Sequence, residues 1–267
     1  MDERYVTPFK RVHVPIYGPV EMWKLREFVN HDRVQELRFK RQLGTMFVDF
    51  PGANHNRFEH TMGVLAQARE FAYSLEKRKM LEADEVRALE LAAILHDVGH
   101  GPFSHVVERL AGQYDSRFPD HNARTDAILE EEFAKSIEEE TSVDVRKVIK
   151  KEHPLSQLVS HKTLGADKIS YMRLDQHHVG RPQSPLELGD LADNLVFLDG
   201  LFGVDERMAW DVRQIQTRYF DMYTQFILGK DCRRARVLSK RRCKRRSMMA
   251  LTWMKCGSGM MMSCSSI

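Results

Sequence analysis

The chain has 267 residues, 42% hydrophobic and 30% charged, with a mean hydropathy of −0.46. It is long enough to bury a core without covalent staples and too mixed in composition for a disordered, fibrous or integral membrane protein. No apolar run approaches the roughly 18 residues of a membrane span, and the start MDERYVTPFKR has no apolar stretch of the kind a secretion signal needs, so a cytoplasmic location is expected. The formal net charge of +3 divides unevenly: from Gly229 onward eleven Lys or Arg face a single Asp, a local +10, which leaves −7 over the first 228 residues.

In chain order, VHVPIYGPV is a β-branched run broken by Pro15 and Gly18 and reads as a small strand pair. From Met22 to Leu43 apolar residues recur mostly at three and four, predicting one or two short helices ending at Gly44. FPGANHN is a loop. Helices follow at about Glu59 to Lys77, with Val64, Ala68, Phe71 and Leu75 on one side, and at Ala83 to His96, carrying Val86, Leu89, Ala93 and Ile94. DVGHGPFSH is punctuated by glycine, and Pro102 suits the first turn of a new helix. Asp120 to Arg124 reads as a polar loop before an exposed Glu/Ala-rich helix over residues 125 to 139. A helix from Leu164 to His178 and the loop RPQSP come next. Asp205 to Phe226 has the strongest amphipathic period, with Met208, Val212, Ile215, Tyr219, Met222 and Phe226 at steps of three and four. The expected class is mainly α, with a short N-terminal β lead-in.

All twelve histidines precede residue 179, and six of them fall between 55 and 121. His96 and Asp97 adjoin at the end of an apolar helix, where Val98-Gly99 frees the backbone to turn, so both can ligate one divalent ion. As an isolated pair they read equally as surface residues or a helix C-terminal charge contact. Asp167, Tyr171 and Asp175 fall at i, i+4 and i+8 on one helical face. That stripe is either a solvated ladder or a row of groups facing a ligand.

With His60 included, His60, His96-Asp97 and Asp167 match the H…HD…D pattern of the HD-domain metal-dependent phosphohydrolases. FPGANHNRFEHTMGV, LHDVGHGPFSH and ADKISYMRLDQHHVG resemble the three signature segments of the dGTPase-like deoxynucleoside triphosphate triphosphohydrolases, over roughly residues 10 to 226. The resemblance implies an HD-domain helical fold over residues 1–228, with its catalytic core at about 40–180. It implies one divalent ion on His60, His96, Asp97 and Asp167, and the ligand types suit Fe, Mn, Zn, Ni or Co, with Mg also open. It implies attack at the α-phosphorus of a deoxynucleoside triphosphate, giving deoxynucleoside and triphosphate. His100, His121 and Glu108 match catalytic positions, and His105, Arg57 and Lys168 match phosphate contacts. Gln42, Leu43, Tyr171 and Asp175 match positions that hold the sugar, with polar groups on the 3′-hydroxyl and an aromatic ring against the 2′ position. Arg218 matches a pocket-closing position. Gln35 and Arg38 resemble an activator site whose flanking positions do not match. Relatives are commonly homo-oligomers, and no membrane partner is implied. The alternatives are an HD phosphohydrolase acting on another nucleotide phosphoester, and a nucleotide- or nucleic-acid-binding HD protein with impaired catalysis.

The resemblance stops within the last helix. Arg218 and Tyr223 fit, but FILGKDCRRAR stands where relatives carry further aromatic and His residues. Residues 229–267 hold all four cysteines, Cys232, Cys243, Cys256 and Cys264, and six of the fourteen methionines. The cysteine spacings include no CxxC, which argues against zinc, while the basic charge is of the kind that binds nucleic-acid phosphates. The abrupt change of composition favours a tail that is disordered or read out of frame.

Overall fold

The computed structural model describes residues 10–103, 107–108, 111–112, 119–180 and 188–224. The helix expected after Pro102 falls mostly outside these residues; the RPQSP loop and the 229–267 tail fall wholly outside. The chain enters as a hairpin of β1 (Arg11–Val14) and β2 (Gly18–Glu21), paired antiparallel with Arg11 opposite Glu21 and Val14 opposite Gly18. Val14 and Val20 turn inward to the core, as alternation along a half-buried strand requires.

The next segment is more broken than its periodicity predicts. Helices α1 (Arg26–Asn30) and α2 (Asp32–Gln35) are separated at His31, whose backbone is extended and whose Nδ1 accepts the Arg33 amide at 3.3 Å. A 3₁₀ turn, Glu36–Phe39, ends at Lys40, well before the expected stop at Gly44. Tertiary pairing overrides propensity here: the Arg57 amide donates to Lys40 O at 2.7 Å and the Gln42 amide to His55 O at 3.0 Å.

Helix α3 (Arg57–Lys77) is the centre of the molecule. Asn56 caps it, its Oδ1 accepting the Glu59 amide at 2.9 Å, and Glu59 places a negative charge in the first turn. Phe58, Met62, Val64, Leu65, Phe71 and Leu75 are buried on more than one side of it. A helix surrounded in this way needs no single apolar stripe. Helix α4 (Ala83–Leu95) starts from a Glu82/Glu85 capping box and buries its whole last turn and a half, Leu91 to Leu95.

The region expected to be a polar loop followed by an exposed helix is helical earlier and buried more deeply. Helix α5 (His121–Ile128) begins where Asp120 accepts the Ala123 amide at 2.9 Å. A π turn at Leu129–Phe133 continues into α6 (Ala134–Glu140), and Leu129, Phe133 and Ile137 face the core. Short helices α7 (Val145–Lys150) and α8 (Ser156–Ser160) precede α9 (Ala166–His178), which packs along α3. After α10 (Leu188–Asp193) comes a second hairpin, β3 (Leu195–Leu198) and β4 (Leu201–Val204), with Leu198 opposite Leu201. This hairpin is not among the elements expected above, although Asp199-Gly200, both at positive φ, is a strong signal for a two-residue hairpin turn. Helix α11 (Ala209–Met222) follows a 3₁₀ turn at Glu206–Met208 and presents Ile215 and Met222 inward. The described elements are helical apart from two two-stranded sheets, and none of the helices is long and apolar enough to cross a membrane.

Two substitutions test this layout by urea unfolding. Phe71→Ala, at the buried contact of the central helix, is expected to cost about 3–5 kcal/mol. Asn56→Ala is expected to cost about 1 kcal/mol through the lost cap. Equal costs at both positions would contradict the central placement of α3.

Candidate active site

Three helices deliver four side chains to one point. His60 comes from the first turn of α3, His96 and Asp97 from the turn that ends α4, and Asp167 from the first turn of α9. His60, His96 and Asp97 offer ligand atoms all within 4.8 Å of one another. His60 Nε2 lies 3.2 Å from Asp167 Oδ1 and 3.8 Å from Asp97 Oδ2. His96 donates from Nδ1 to Ala93 O at 2.9 Å, which fixes its tautomer and turns Nε2 into the cluster. That Nε2 is buried without a hydrogen-bond partner and lies 3.4 Å from Asp97 Oδ1. An orphaned imidazole lone pair among two carboxylates and a second imidazole is a donor set suited to a divalent transition ion.

Asp97 joins this cluster to the next. Its Oδ1 faces His96 and, at 3.3 Å, His100 Nε2, while its Oδ2 accepts from Arg57 Nη1 at 2.5 Å. Burial alone would raise the Asp97 carboxyl, but His96, Arg57 and His100 outweigh it and hold the group well below the ordinary carboxylate range. Burial also pushes the His100 imidazole down, to about 4, against the pull of Asp97. Burial acts upward on Asp167 as well, and the His60 hydrogen bond and charge reverse the shift.

His100 stacks on His121 with ring centroids 4.0 Å apart and 17° between planes. His121 donates from Nδ1 to Glu108 Oε2 at 3.2 Å, and Glu108 also takes Arg124 Nη2 at 3.0 Å. His100, Glu108 and His121 likewise offer three ligand atoms within 4.8 Å. Stacked rings, however, set their lone pairs side by side instead of converging, and Arg124 already engages the carboxylate. The arrangement suits proton transfer at His121 Nε2 better than a second cation. Gly99 makes the approach possible, because a Cβ there would collide with the backbone of His121 and Thr125.

Tyr171 and Asp175 continue the Asp167 stripe one and two turns further along α9, roughly 6 and 12 Å along its axis. Burial, then Tyr219, Asp167 and Asp175, raise the Tyr171 hydroxyl far above its usual range, so it stays protonated. Gln42 is joined to this wall through His55, and Leu43 packs against the core. Lys168 stands beside Asp167 but turns its ammonium over the Tyr219 ring at 3.3 Å and donates to Lys162 O at 2.5 Å. Arg218 is half-buried on α11, next to Tyr219. Gln35 and Arg38 are committed internally: Gln35 Nε2 donates to Val29 O at 2.6 Å, and Arg38 donates to Gln35 at 2.8 Å while lying over the Phe58 ring. His105 lies outside the described residues. Arg124, His55, His178 and Glu59 carry no local motif, and their contacts form only with partners distant in the chain.

A family model described as the HD domain matches residues 57–193, just over half of the chain. The chain belongs to the HD-domain family. Within that family, it is 38% identical over 118 residues to the human protein named deoxynucleoside triphosphate triphosphohydrolase SAMHD1, covering 43% of this chain and 18% of that protein. Its identity with YwfO, an uncharacterized protein of Bacillus subtilis, is 34% over 154 residues, covering 55% of this chain and 34% of the relative. Among solved structures, a phosphohydrolase from Bacteroides thetaiotaomicron superposes with a TM-score of 0.73 at 28% identity, covering 83% of this HD chain and 55% of that one. The chain thus spans less than a fifth of the length of human SAMHD1 and of its zebrafish counterpart, at 18% and 17%.

A bound ion stabilises the fold by mass action. Mn²⁺ at a hundred times its dissociation constant is expected to add about 2.7 kcal/mol, a rise in Tm of about 5–10 °C for a domain of this size. His96→Ala combined with Asp97→Ala is expected to abolish that rise in differential scanning fluorimetry. A rise of the same size in the double variant would remove these residues from the ligand set.

Proposed function

We propose that this HD-domain chain hydrolyses deoxynucleoside triphosphates to deoxynucleoside and inorganic triphosphate, using a single divalent ion. The observation that carries the reading is the order of groups along one wall. The His60–His96–Asp97 cluster, with Asp167 3.2 Å from His60, adjoins a stacked His100–His121 pair backed by Glu108, and Tyr171 and Asp175 follow Asp167 along α9. The name of the human relative, which matches over the same region, points to the same substrate class.

His60, His96, Asp97 and Asp167 would hold the ion, which when bound supplies Lewis acidity toward a phosphate oxygen and lowers the pKa of a bound water. Arg57, fixed on Asp97, adds a permanent positive charge where a phosphate would lie. Water adds to the α-phosphorus, the bond to the 5′ oxygen breaks, and that oxygen must gain a proton to leave as a hydroxyl. His121 would manage that proton: Glu108 accepts from Nδ1, which leaves Nε2 as the exchanging position. His100 braces the His121 ring by stacking, and its lowered basicity keeps it from competing for the proton. His105 and Lys168 complete the proposed phosphate contacts, Lys168 after leaving the Tyr219 ring, and Arg218 closes the pocket. Gln42, Leu43, Tyr171 and Asp175 form the sugar wall, with the Tyr171 ring crowding the 2′ position against ribose.

The test is incubation of the full chain with Mn²⁺ or Mg²⁺ and each of the four deoxynucleoside triphosphates, with triphosphate and deoxynucleoside both quantified. Equimolar release of the two is expected. His121→Ala is expected to lower kcat by about a hundredfold, the scale on which a positioned proton-transfer group contributes. Release of orthophosphate or pyrophosphate in place of triphosphate would contradict cleavage between the α-phosphorus and the 5′ oxygen.

A further inference from the structure

Behind the proposed sugar contacts lies a polar chain, buried at one end and half-buried at the other, that neither the ion cluster nor the His121 pair uses. His55 Nε2 donates to Asp175 Oδ1 at 2.8 Å, and the imidazole has no exposed surface. Its ring stacks on His178 with centroids 4.4 Å apart and 9° between planes, and His178 Nε2 is bonded to Glu59 Oε1 at 2.5 Å. Gly52 closes over the stack: a Cβ there would collide with the His178 carbonyl oxygen. The same His55 accepts the Gln42 amide on its backbone oxygen at 3.0 Å. One residue therefore ties together the segment carrying Gln42 and the helix carrying Asp175.

The protonation of the ring follows from satisfaction. His55 Nδ1 is buried with no hydrogen-bond partner. An ionised carboxylate only accepts, so the ring proton sits on Nε2, aimed at Asp175, and the partnerless Nδ1 is the unprotonated nitrogen. That charge-assisted bond fixes Oδ1 and leaves Oδ2 to accept from a ligand hydroxyl.

We infer that His55 is a positioning residue for sugar recognition: it sets the Asp175 carboxylate and the Gln42 segment together, so that the site demands a hydroxyl at the 3′ carbon of the substrate. The inference rests on the deoxynucleoside triphosphate reading and names the device that enforces one part of its specificity. A donor at the Nε2 position is what the site requires. Gln supplies one at that reach, Asn supplies one only at the Nδ1 position, and Phe keeps the ring volume with no donor.

The experiment compares kcat and KM of the full chain for a deoxynucleoside triphosphate and its 2′,3′-dideoxy analogue. The unaltered chain is expected to prefer the 3′-hydroxyl by at least about tenfold in kcat/KM, the scale of a hydrogen bond to a charged group. His55→Phe is expected to raise KM for the deoxy substrate about tenfold with kcat nearly unchanged, and to bring the preference close to one. His55→Gln is expected to restore both. Should His55→Phe fail to fold, the pair His55→Gln and His55→Asn carries the test, with preference kept in the first and lost in the second. Preference retained in His55→Phe, or equal in the Gln and Asn variants, overturns the inference while leaving the substrate reading intact. An unaltered chain that hydrolyses deoxynucleoside triphosphates but ignores the 3′-hydroxyl overturns it too. An unaltered chain that hydrolyses none of them overturns the substrate reading, and the inference falls with it.

Discussion

The site is organised around one buried carboxylate. Asp97 sits in the turn that ends α4, with His96 and His100 facing one oxygen and Arg57 and His60 the other. An isolated ionised carboxylate in such a place would cost several kcal/mol, and it would escape that cost by taking up a proton. The surrounding positive and hydrogen-bonding groups remove that escape and keep the carboxyl ionised. Those partners come from two segments, the first turn of α3 and the turn of residues 96–100 that contains Asp97 itself. Holding Asp97 charged therefore requires the start of α3 and the end of α4 to stay in register.

The packing beneath the site supplies that placement. Helix α3 is buried between α4 and α9, and its interior residues hold the turns that carry His96, Asp97 and Asp167 in register with His60. Close backbone approaches at Gly52 and Gly99 let the His178 and His121 regions reach the site without intervening side chains. A shift of any of these helices would be felt at the ligands, because interiors at crystal-like density transmit displacement instead of absorbing it.

The helical class and the central helices are legible in the sequence because they rest on local apolar periodicity, and the clustering of His60, His96, Asp97 and Asp167 is legible through the resemblance of their motifs to a known family. What the sequence hides is long-range pairing. The Lys40–Arg57 and Gln42–His55 backbone bonds break a segment whose periodicity alone reads as helix. The Asp120 cap and the burial of Leu129 and Phe133 convert an apparent polar loop and exposed helix into a core-facing element. His55, His178 and Glu59 carry no motif of their own; their arrangement exists only because residues 120 positions apart meet. The second hairpin was readable from Asp199-Gly200, a local signal of the strongest kind.

The central claim is that His60, His96, Asp97 and Asp167 share one ion. X-ray absorption at the metal edge of Mn²⁺- or Fe²⁺-loaded protein tests it directly, because imidazole rings give a distinct outer-shell scattering pattern. The account predicts one ion per chain with two imidazoles in its coordination sphere, falling to one imidazole in His60→Ala. An ion bound through oxygen ligands alone, or a stoichiometry of two per chain with the imidazole signal unchanged in His60→Ala, would contradict it.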